Sequence, residues 1–258
     1  MSENENLSLL GRKIFFLHPS ALTQNQIISE LTQEEFEVYV LKDEALLKKA
    51  LAAYPDSIVF ASIYEFLKEG AWEELIRGIK QNPETSKVDI GVIASGTDEG
   101  MKRKYTLEFN LRCGYTVVKS DYAAAVKQLI NHLNNVNAKG RRKYIRMIMD
   151  KETNATVNLP MNGTFVNGTI KDISVVGFSC VFAEDPGLTK NGLFGDIQLR
   201  LQSQLLKAEA IVFGSRMEGT EKINVLLFSQ RVDPEMRTKI RKYIQSHLQS
   251  RMDEELKN

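Results

Sequence analysis

Three arginines near the middle of the chain have the type and spacing to bind phosphate groups. The run RRKYIR spans residues 141–146, so that Arg142 and Arg146 stand four positions apart and Arg141 directly precedes them. A guanidinium group donates two parallel hydrogen bonds to a phosphate, which a lysine does not reproduce. The same fork fits O6 and N7 of guanine, and its plane can stack on a purine ring. The chemistry available here is recognition of phosphate and guanine.

A second group of residues, DISVVG at 172–177, complements the first. A carboxylate, such as that of Asp172, is in general the complement of the donor edge of guanine, N1–H and the exocyclic amine, and the assignment of this role to Asp172 comes only from the family resemblance given below. Ser174 offers a hydroxyl to a phosphate, and Gly177 lets the backbone pass close to a ligand. Taken alone, each group is weak evidence, because short motifs match by chance and an isolated basic run commonly forms a solvated surface.

Both groups fall in a region whose pattern predicts short strands and one helix. Strands are predicted at 155–159, 163–172, 177–182, 196–201, 205–213 and 223–228, with Gly and Asn between them. Closely spaced strands of this kind favour a sandwich or small barrel. The apolar spacing after residue 233 predicts an amphipathic helix to about residue 252. Phe182 and Ile211 are expected in the barrel core, where substitutions would unfold it.

An Arg-x-x-x-Arg segment, then Asp-x-Ser-x-x-Gly, then a small antiparallel barrel resembles the PilZ domain family. The resemblance covers residues 139–250, and every motif position is filled. It implies a six-stranded barrel with a C-terminal helix that binds cyclic di-GMP as a second-messenger receptor. The implied ligand-binding residues are Arg141, Arg142, Arg146, Asp172, Ser174 and Gly177.

The resemblance also implies a mechanism and a stoichiometry. In this family the arginine pair sits on a flexible segment that folds over the ligand, and here the hinge would be Lys139 and Gly140. Binding would then change the arrangement of the domains, because a ligand shifts an equilibrium only through contacts that differ between two states. An arginine directly before the first motif arginine favours an intercalated pair of ligands, so Arg141 implies two molecules per site.

The first half of the chain alternates strands and helices. Strands are predicted at 13–17, 36–41, 57–63, 88–94 and 114–118, and helices at 23–31, 44–53, 72–79 and 122–133. Strict alternation favours a mostly parallel sheet covered on both faces. The pattern over 11–135 resembles the flavodoxin-like receiver domain of response regulators. The polar stretch after Asn134 marks a linker, which predicts a receiver-like domain over 1–138 and a PilZ domain over 139–258.

The receiver-like domain lacks the residues for phosphorylation. A receiver needs carboxylates after its first strand and at the end of its third, since hard divalent cations bind oxygen ligands. Here those positions hold His18 and Ser62, and Asp56 stands at the opposite end of its strand. Ser95 and Lys119 do match the receiver's accessory hydroxyl and lysine. We therefore expect no aspartyl phosphorylation, and a role as scaffold, dimerisation surface or docking platform for a protein partner.

Composition limits the remaining classes. The 34 basic and 33 acidic residues nearly cancel, so attraction of an anion must come from a local cluster. Two cysteines, Cys113 and Cys180, exclude a disulfide framework and favour a reducing, cytoplasmic setting. The acidic N-terminus is unlike a secretory signal, and no apolar run reaches membrane-spanning length, so no membrane insertion is expected.

Three alternatives to ligand sensing stay open. The basic run 139–146 with Tyr144 could bind nucleic acid, although no second basic stripe accompanies it. An enzyme is less favoured, because His18, His132 and His247 lack metal-ligand spacing and no Walker loop is present; no catalytic residue, metal or cofactor is predicted. The barrel could also be an interaction module without ligand affinity. The sequence does not select among motility, exopolysaccharide production, virulence and transcription.

Overall fold

The structure, a computed structural model, describes residues 10–63, 70–96, 98–119, 122–150 and 153–257. These residues form two compact units. The first contains the described residues up to Lys143 together with those from Gln249 onward, and the second spans Tyr144–Leu248. The division between the units thus falls a few residues after position 138, and the end of the last helix belongs to the first unit.

Residues 138–140 are packed against the start of the first strand. The backbone N–H of Arg12 donates to the carbonyl of Ala138 at 2.8 Å. A Cβ at Gly140 would meet the carbonyl carbon of Leu10 at 2.4 Å. The ammonium of Lys139 lies 4.5 Å from the ring centre of Phe36. The segment predicted as a hinge is therefore held by close backbone and cation–π contacts within the first unit.

The first unit contains a five-stranded parallel sheet in the order β2-β1-β3-β4-β5. This order is one of those of doubly wound α/β sheets, and the predicted α/β architecture is confirmed. Its strands are apolar and buried on both faces because helices cover the sheet. The strands are β1 (Ile14–Leu17), β2 (Val38–Leu41), β3 (Ile58–Ser62), β4 (Asp89–Ala94) and β5 (Tyr115–Val117).

Helices connect these strands, and one of them was not predicted. The bounds are α1 (Thr23–Ile28 in π-helical geometry, continued by Ser29–Gln33), α2 (Glu44–Ala53), α3 (Ala71–Gln81), α4 (Glu99–Arg103, continued by π-helical Lys104–Glu108) and α5 (Tyr122–Asn135). Helix α4 was not predicted, and Tyr105 is its one buried residue among those described. Its start is marked instead by Asp98, whose carboxylate accepts from the N–H of Met101 at 3.0 Å.

The second unit is a closed antiparallel barrel of six strands. The order β8-β7-β10-β11-β12-β9 closes through pairing of β9 with β8, and the short β6 adds to β8. The six-stranded barrel implied by the motifs is confirmed. The strands are β6 (Met147–Ile148), β7 (Ala155–Met161), β8 (Thr164–Ser174), β9 (Gly177–Phe182), β10 (Leu193–Leu201), β11 (Gln204–Glu218) and β12 (Glu221–Phe228).

The last helix, α6 (Pro234–Lys257), has residues in both units. In the second unit, Ile240 and Ile244 pack into the barrel core. In the first, the side-chain amide of Gln249 donates to the carbonyl of Val40 at 3.0 Å and accepts from the Val40 N–H at 2.8 Å. Val40 lies in β2, the outer strand of the sheet, so this pair of bonds closes part of an exposed edge. None of the described helices is both long and apolar enough to cross a membrane.

The barrel core confirms one predicted core residue and excludes another. Phe182 is buried in the core cluster. Ile211 is 39% exposed, so its prediction was wrong. Along β11 the even-numbered residues, such as Ala210 and Val212, face the core, and strict alternation puts Ile211 on the outer surface. The apolar character of Ile211 alone therefore did not show which face of β11 lies toward the core.

This register predicts unequal effects of two truncations in neighbouring strands. Leu226→Ala removes a side chain of 0% exposure, and we expect it to lower the free energy of unfolding by about 2–5 kcal/mol through the cavity that it leaves. Ile211→Ala should lower it by less than about 1 kcal/mol. Urea unfolding followed by far-UV circular dichroism measures both, with Trp72 fluorescence reporting on the first unit. Equal losses would contradict the register.

Candidate ligand-binding site

A bulge in β8 turns Asp172 away from the barrel core. Ile170 is paired with Cys180 and Asp172 with Ser179, so two steps along β8 match one step along β9, and Lys171 is the extra residue. Without this insertion, Asp172 would share the inward face of Ile170, because side chains alternate along a strand. The bulge instead lets Ile170 and Ile173 both enter the core while Asp172 faces outward.

Strand β6 brings Arg146 to that carboxylate. Met147 is fully buried in the barrel core and pairs with Ile173, and Ile148 pairs with Asp172. Arg146 directly precedes this anchor, and its Nη1 lies 3.3 Å from Asp172 Oδ1. The arginine side chain is 39% exposed and the aspartate side chain 12%. The structure thus brings together one predicted arginine and the predicted aspartate, with the arginine open to solvent.

Ser179 was not among the predicted site residues, yet it forms a hydrogen bond with the second oxygen of the Asp172 carboxylate. Its hydroxyl donates a short hydrogen bond to Asp172 Oδ2, and the serine is 1% exposed. The sequence contained a signal for this contact. If Ser174 and Gly177 pair across the turn between β8 and β9, counting back along both strands places residue 172 opposite residue 179. The first predicted strand ended at residue 172 and the next began at residue 177. The cross-strand pairing near the turn was therefore not worked out from the sequence.

Ser174 has a structural role at the turn between β8 and β9. Its Oγ donates to the carbonyl of Gly177 at 3.2 Å and accepts from the N–H of Val176 at 3.4 Å, and the residue is buried. A hydroxyl that satisfies nearby backbone groups stabilises such a turn. The predicted contact between Ser174 and a phosphate stays a prediction, since that hydroxyl proton already has a partner.

Gly177 is required by the close approach of two strands. A Cβ at this position would lie 2.3 Å from the carbonyl oxygen of Leu226 and 3.0 Å from the Cα of Leu227. Both atoms belong to the backbone of β12, so neither can move aside without shifting the strand. The need for glycine therefore arises from the barrel itself, whether or not a ligand also approaches.

Arg141 and Arg142 belong to the first unit, whereas Arg146 belongs to the second. Both are exposed, and neither forms a salt bridge with another described residue. Their predicted contact with a ligand stays a prediction.

A cavity on the outside of the barrel begins one outward-facing pair along β8 and β9 from Asp172 and Ser179. The next outward-facing pair of the same two strands is Thr169 with Val181, and both line a cavity of ≈ 670 Å³. The space is bounded by amide and hydroxyl side chains and one guanidinium group. Its polar lining consists of Thr156, Asn158, Asn167, Thr169, Gln198, Arg200 and Ser203. Arg146, Asp172, Ser174 and Ser179 are not among the residues that line this cavity.

Cys180, beside Ser179, faces the other way. It is fully buried in the barrel core, and burial, followed by the negative charge of Asp172, raises the pKa of its thiol to about 12. A thiol with such a pKa is not a nucleophile near neutral pH. No group of three or more His, Cys, Asp and Glu side chains in the described part of the chain could hold a metal ion.

The residues of the first unit that were compared with receiver positions lie at the ends of its strands or just before and after them. Ser62 ends β3 and is fully buried, and no hydrogen-bond partner of its hydroxyl is found in the described structure. Asp56 lies before β3, at the amino end as predicted, where its carboxylate is 3.3 Å from Nε of Arg12. Ser95 and Lys119 are exposed. The described residues at the ends of β1 and β3 provide no carboxylate.

Three solved structures are each similar to less than half of this chain. No family model and no curated protein matches the sequence. The structure of YcgR in complex with c-di-GMP from Escherichia coli is similar at 17% identity and a TM-score of 0.40, over 45% of this chain and 50% of that chain. The PilZ domain with c-di-GMP of YcgR from Escherichia coli is similar at 15% identity and 0.37, over 46% and 98%.

The K. pneumonia MrkH–c-di-GMP complex is similar at 18% identity and a TM-score of 0.36, over 45% of this chain and 55% of that one. This chain therefore spans about half the length of YcgR and MrkH. Since every identity is below 25% and every TM-score below 0.5, the ligand of this chain has to be argued from its own residues.

The contact at Gly177 predicts a defect in the barrel that is independent of any ligand. Gly177→Ala should lower the stability of the second unit by roughly 1–3 kcal/mol, because β9 and β12 must separate. Gly195→Ala is the matched control, since a Cβ there meets nothing within 4 Å, and it should be neutral or stabilise by up to about 1 kcal/mol. Urea unfolding without ligand measures both. If Gly177→Ala is as stable as the control, the close approach is not the reason for this glycine.

Proposed function

We propose that this chain is a receptor for cyclic di-GMP, which it binds on the outer surface of the barrel. The observation that supports this most directly is the Arg146–Asp172 pair on the outer barrel face, beside the turn formed by Ser174 and Gly177. A guanidinium and a carboxylate together complement a ligand that presents phosphates and guanines. A cavity of ≈ 670 Å³ begins at Thr169 and Val181, the next outward-facing pair of the same two strands, although Arg146 and Asp172 do not themselves line it.

Binding would exchange one set of partners for another. Without ligand, Arg146 is paired with Asp172. Such a partly exposed pair contributes only about 0.2–1 kcal/mol, so it opens easily. A ligand phosphate or guanine O6/N7 then takes the place of the carboxylate at Arg146, and guanine N–H donors take the place of Arg146 at Asp172. Neither charge is left without a partner, which keeps the cost of the exchange low.

Arg141 and Arg142 complete the arginine set in this proposal. They precede Arg146 in the same basic segment, and both are exposed. Ordering of residues 141–146 around the ligand would be the step that converts binding into a signal, because only contacts that differ between the free and bound states shift an equilibrium. We propose that a protein partner reads this change through the first unit.

The proposed activity is sensing, without turnover. The residues around Asp172 include no free nucleophile of low pKa, since Cys180 is buried and its thiol has a raised pKa. Ser174 donates its hydroxyl to a backbone carbonyl rather than to a general base. Hydrolysis of cyclic di-GMP by the pure protein would contradict this part of the proposal.

The affinity for cyclic di-GMP should depend on the charged motif residues Arg142, Arg146 and Asp172. Truncating one partner of a desolvated charged contact costs about 2–5 kcal/mol, and about 1.4 kcal/mol is tenfold in affinity. We therefore expect Arg142→Ala, Arg146→Ala and Asp172→Ala each to weaken binding by at least about tenfold in titration calorimetry. Arg216→Ala, on the exposed end of β11 beside Glu218, is the charge-matched control and should leave the affinity unchanged.

One binding result would contradict the receptor proposal. Folded wild-type protein would show neither heat nor a thermal shift with cyclic di-GMP at low-micromolar concentration. If the protein binds RNA or DNA instead, and unlabelled cyclic di-GMP does not compete in a filter-binding assay, the basic segment serves nucleic acid.

Stoichiometry is a separate expectation that depends on Arg141. We expect two molecules of cyclic di-GMP per chain, with guanines intercalated and Arg141 stacked or paired with the second molecule. Arg141→Leu removes the guanidinium but keeps an apolar side chain, and it should reduce the stoichiometry to one without abolishing binding. Titration calorimetry reports both numbers. One ligand per wild-type chain would refute this expectation and leave the receptor proposal intact.

A further inference from the structure

Ser179 holds the carboxylate of Asp172 from the side opposite to Arg146. Its hydroxyl donates to Oδ2, while Arg146 lies 3.3 Å from Oδ1. The two contacts differ in exposure, because the serine is 1% exposed and the arginine side chain 39%. The arginine can leave toward solvent, whereas the serine is fixed within the paired strands β8 and β9.

This difference matters once a ligand draws Arg146 away. The terminal torsion of an aspartate is broad, so a carboxylate with no fixed partner can rotate. A carboxylate recognises guanine best when both oxygens lie in the plane of N1–H and the exocyclic amine. Each oxygen can accept more than one hydrogen bond. Ser179 can therefore keep its bond to Oδ2 while the carboxylate accepts both guanine donors.

We propose that Ser179 is a positioning residue that makes Asp172 selective for guanine. This inference rests on the proposed binding of cyclic di-GMP. The hydroxyl fixes the plane of the carboxylate, so that the two guanine donors meet two acceptors in register. Without the hydroxyl, Asp172 keeps its charge but loses its orientation, and the second donor, the exocyclic amine, gains little from the contact.

The alternative is that Ser179 only fills its buried site. A buried hydroxyl needs an acceptor, and the nearest carboxylate can serve that need alone. The two roles differ in what they do to selectivity. A space-filling serine affects every ligand equally, whereas a positioning serine affects most the ligand that uses both donors.

The test compares cyclic di-GMP with cyclic di-IMP, whose bases keep N1–H but lack the exocyclic amine. Wild-type protein should prefer cyclic di-GMP by about tenfold or more, the effect of a hydrogen bond to a charged group. Ser179→Ala should reduce this preference to below about threefold. Ser179→Thr keeps the hydroxyl on a β-branched side chain suited to a strand, and it should restore the preference. Ser215→Ala, on an exposed strand position, is the matched control.

Each outcome decides between the two roles. If Ser179→Ala weakens both ligands by the same factor, Ser179 only fills space and the inference is overturned while the receptor proposal stands. If wild-type protein binds neither ligand, the receptor proposal fails and this inference fails with it. Thermal unfolding shows whether the alanine variant is folded. Should it not fold, Ser179→Cys preserves the volume with a much weaker donor, and the same loss of preference is expected.

Discussion

The outward position of one carboxylate is the constraint on which the candidate site depends. Aspartate at position 172 is compatible with the barrel only because Lys171 is an extra residue in β8, which reverses the facing of the strand between Ile170 and Asp172. A charge on the inner face would lie among Ile170, Ile173 and Cys180, where burial without a partner is strongly unfavourable. The bulge thus serves the core and the site at once, since it places Ile170 and Ile173 in the core and turns the carboxylate, whose side chain is 12% exposed, toward the outer face.

Two elements then position the groups around this carboxylate. Met147 anchors β6 in the core and thereby sets Arg146 beside Asp172, and the turn from Ser174 to Gly177 sets the register that places Ser179 opposite. Both are packing features rather than binding features. The same residues would be needed to close the barrel if no ligand existed, which explains why Ser174 and Gly177 have structural partners as well as a predicted role in binding.

The sequence predicted the class of both units and the order of their elements, because apolar periodicity survives in long strands and in helices such as Glu44–Ala53. It missed the helix around Tyr105, which has one buried residue. It also predicted that Ile211 is in the core, because an alternating strand can face the core with either its odd-numbered or its even-numbered residues. Of the motif residues, Arg146 and Asp172 lie together in the structure, and their role in binding stays a prediction. Ser179 could have been found by counting across the turn. The bulge could not, because nothing in the residue types around Lys171 marks an extra residue.

The pair of hydrogen bonds between Gln249 and Val40 has a consequence for how the protein is made. These residues are 209 positions apart in the chain, and the bonds complete the outer strand of a sheet whose other residues are synthesised far earlier. During translation that edge stays open while the intervening barrel emerges, and contacts of such long sequence separation form slowly. The β2 edge of the nascent first unit therefore stays open at Val40 until Gln249 has been synthesised, and an open strand edge of this kind can pair with other strands.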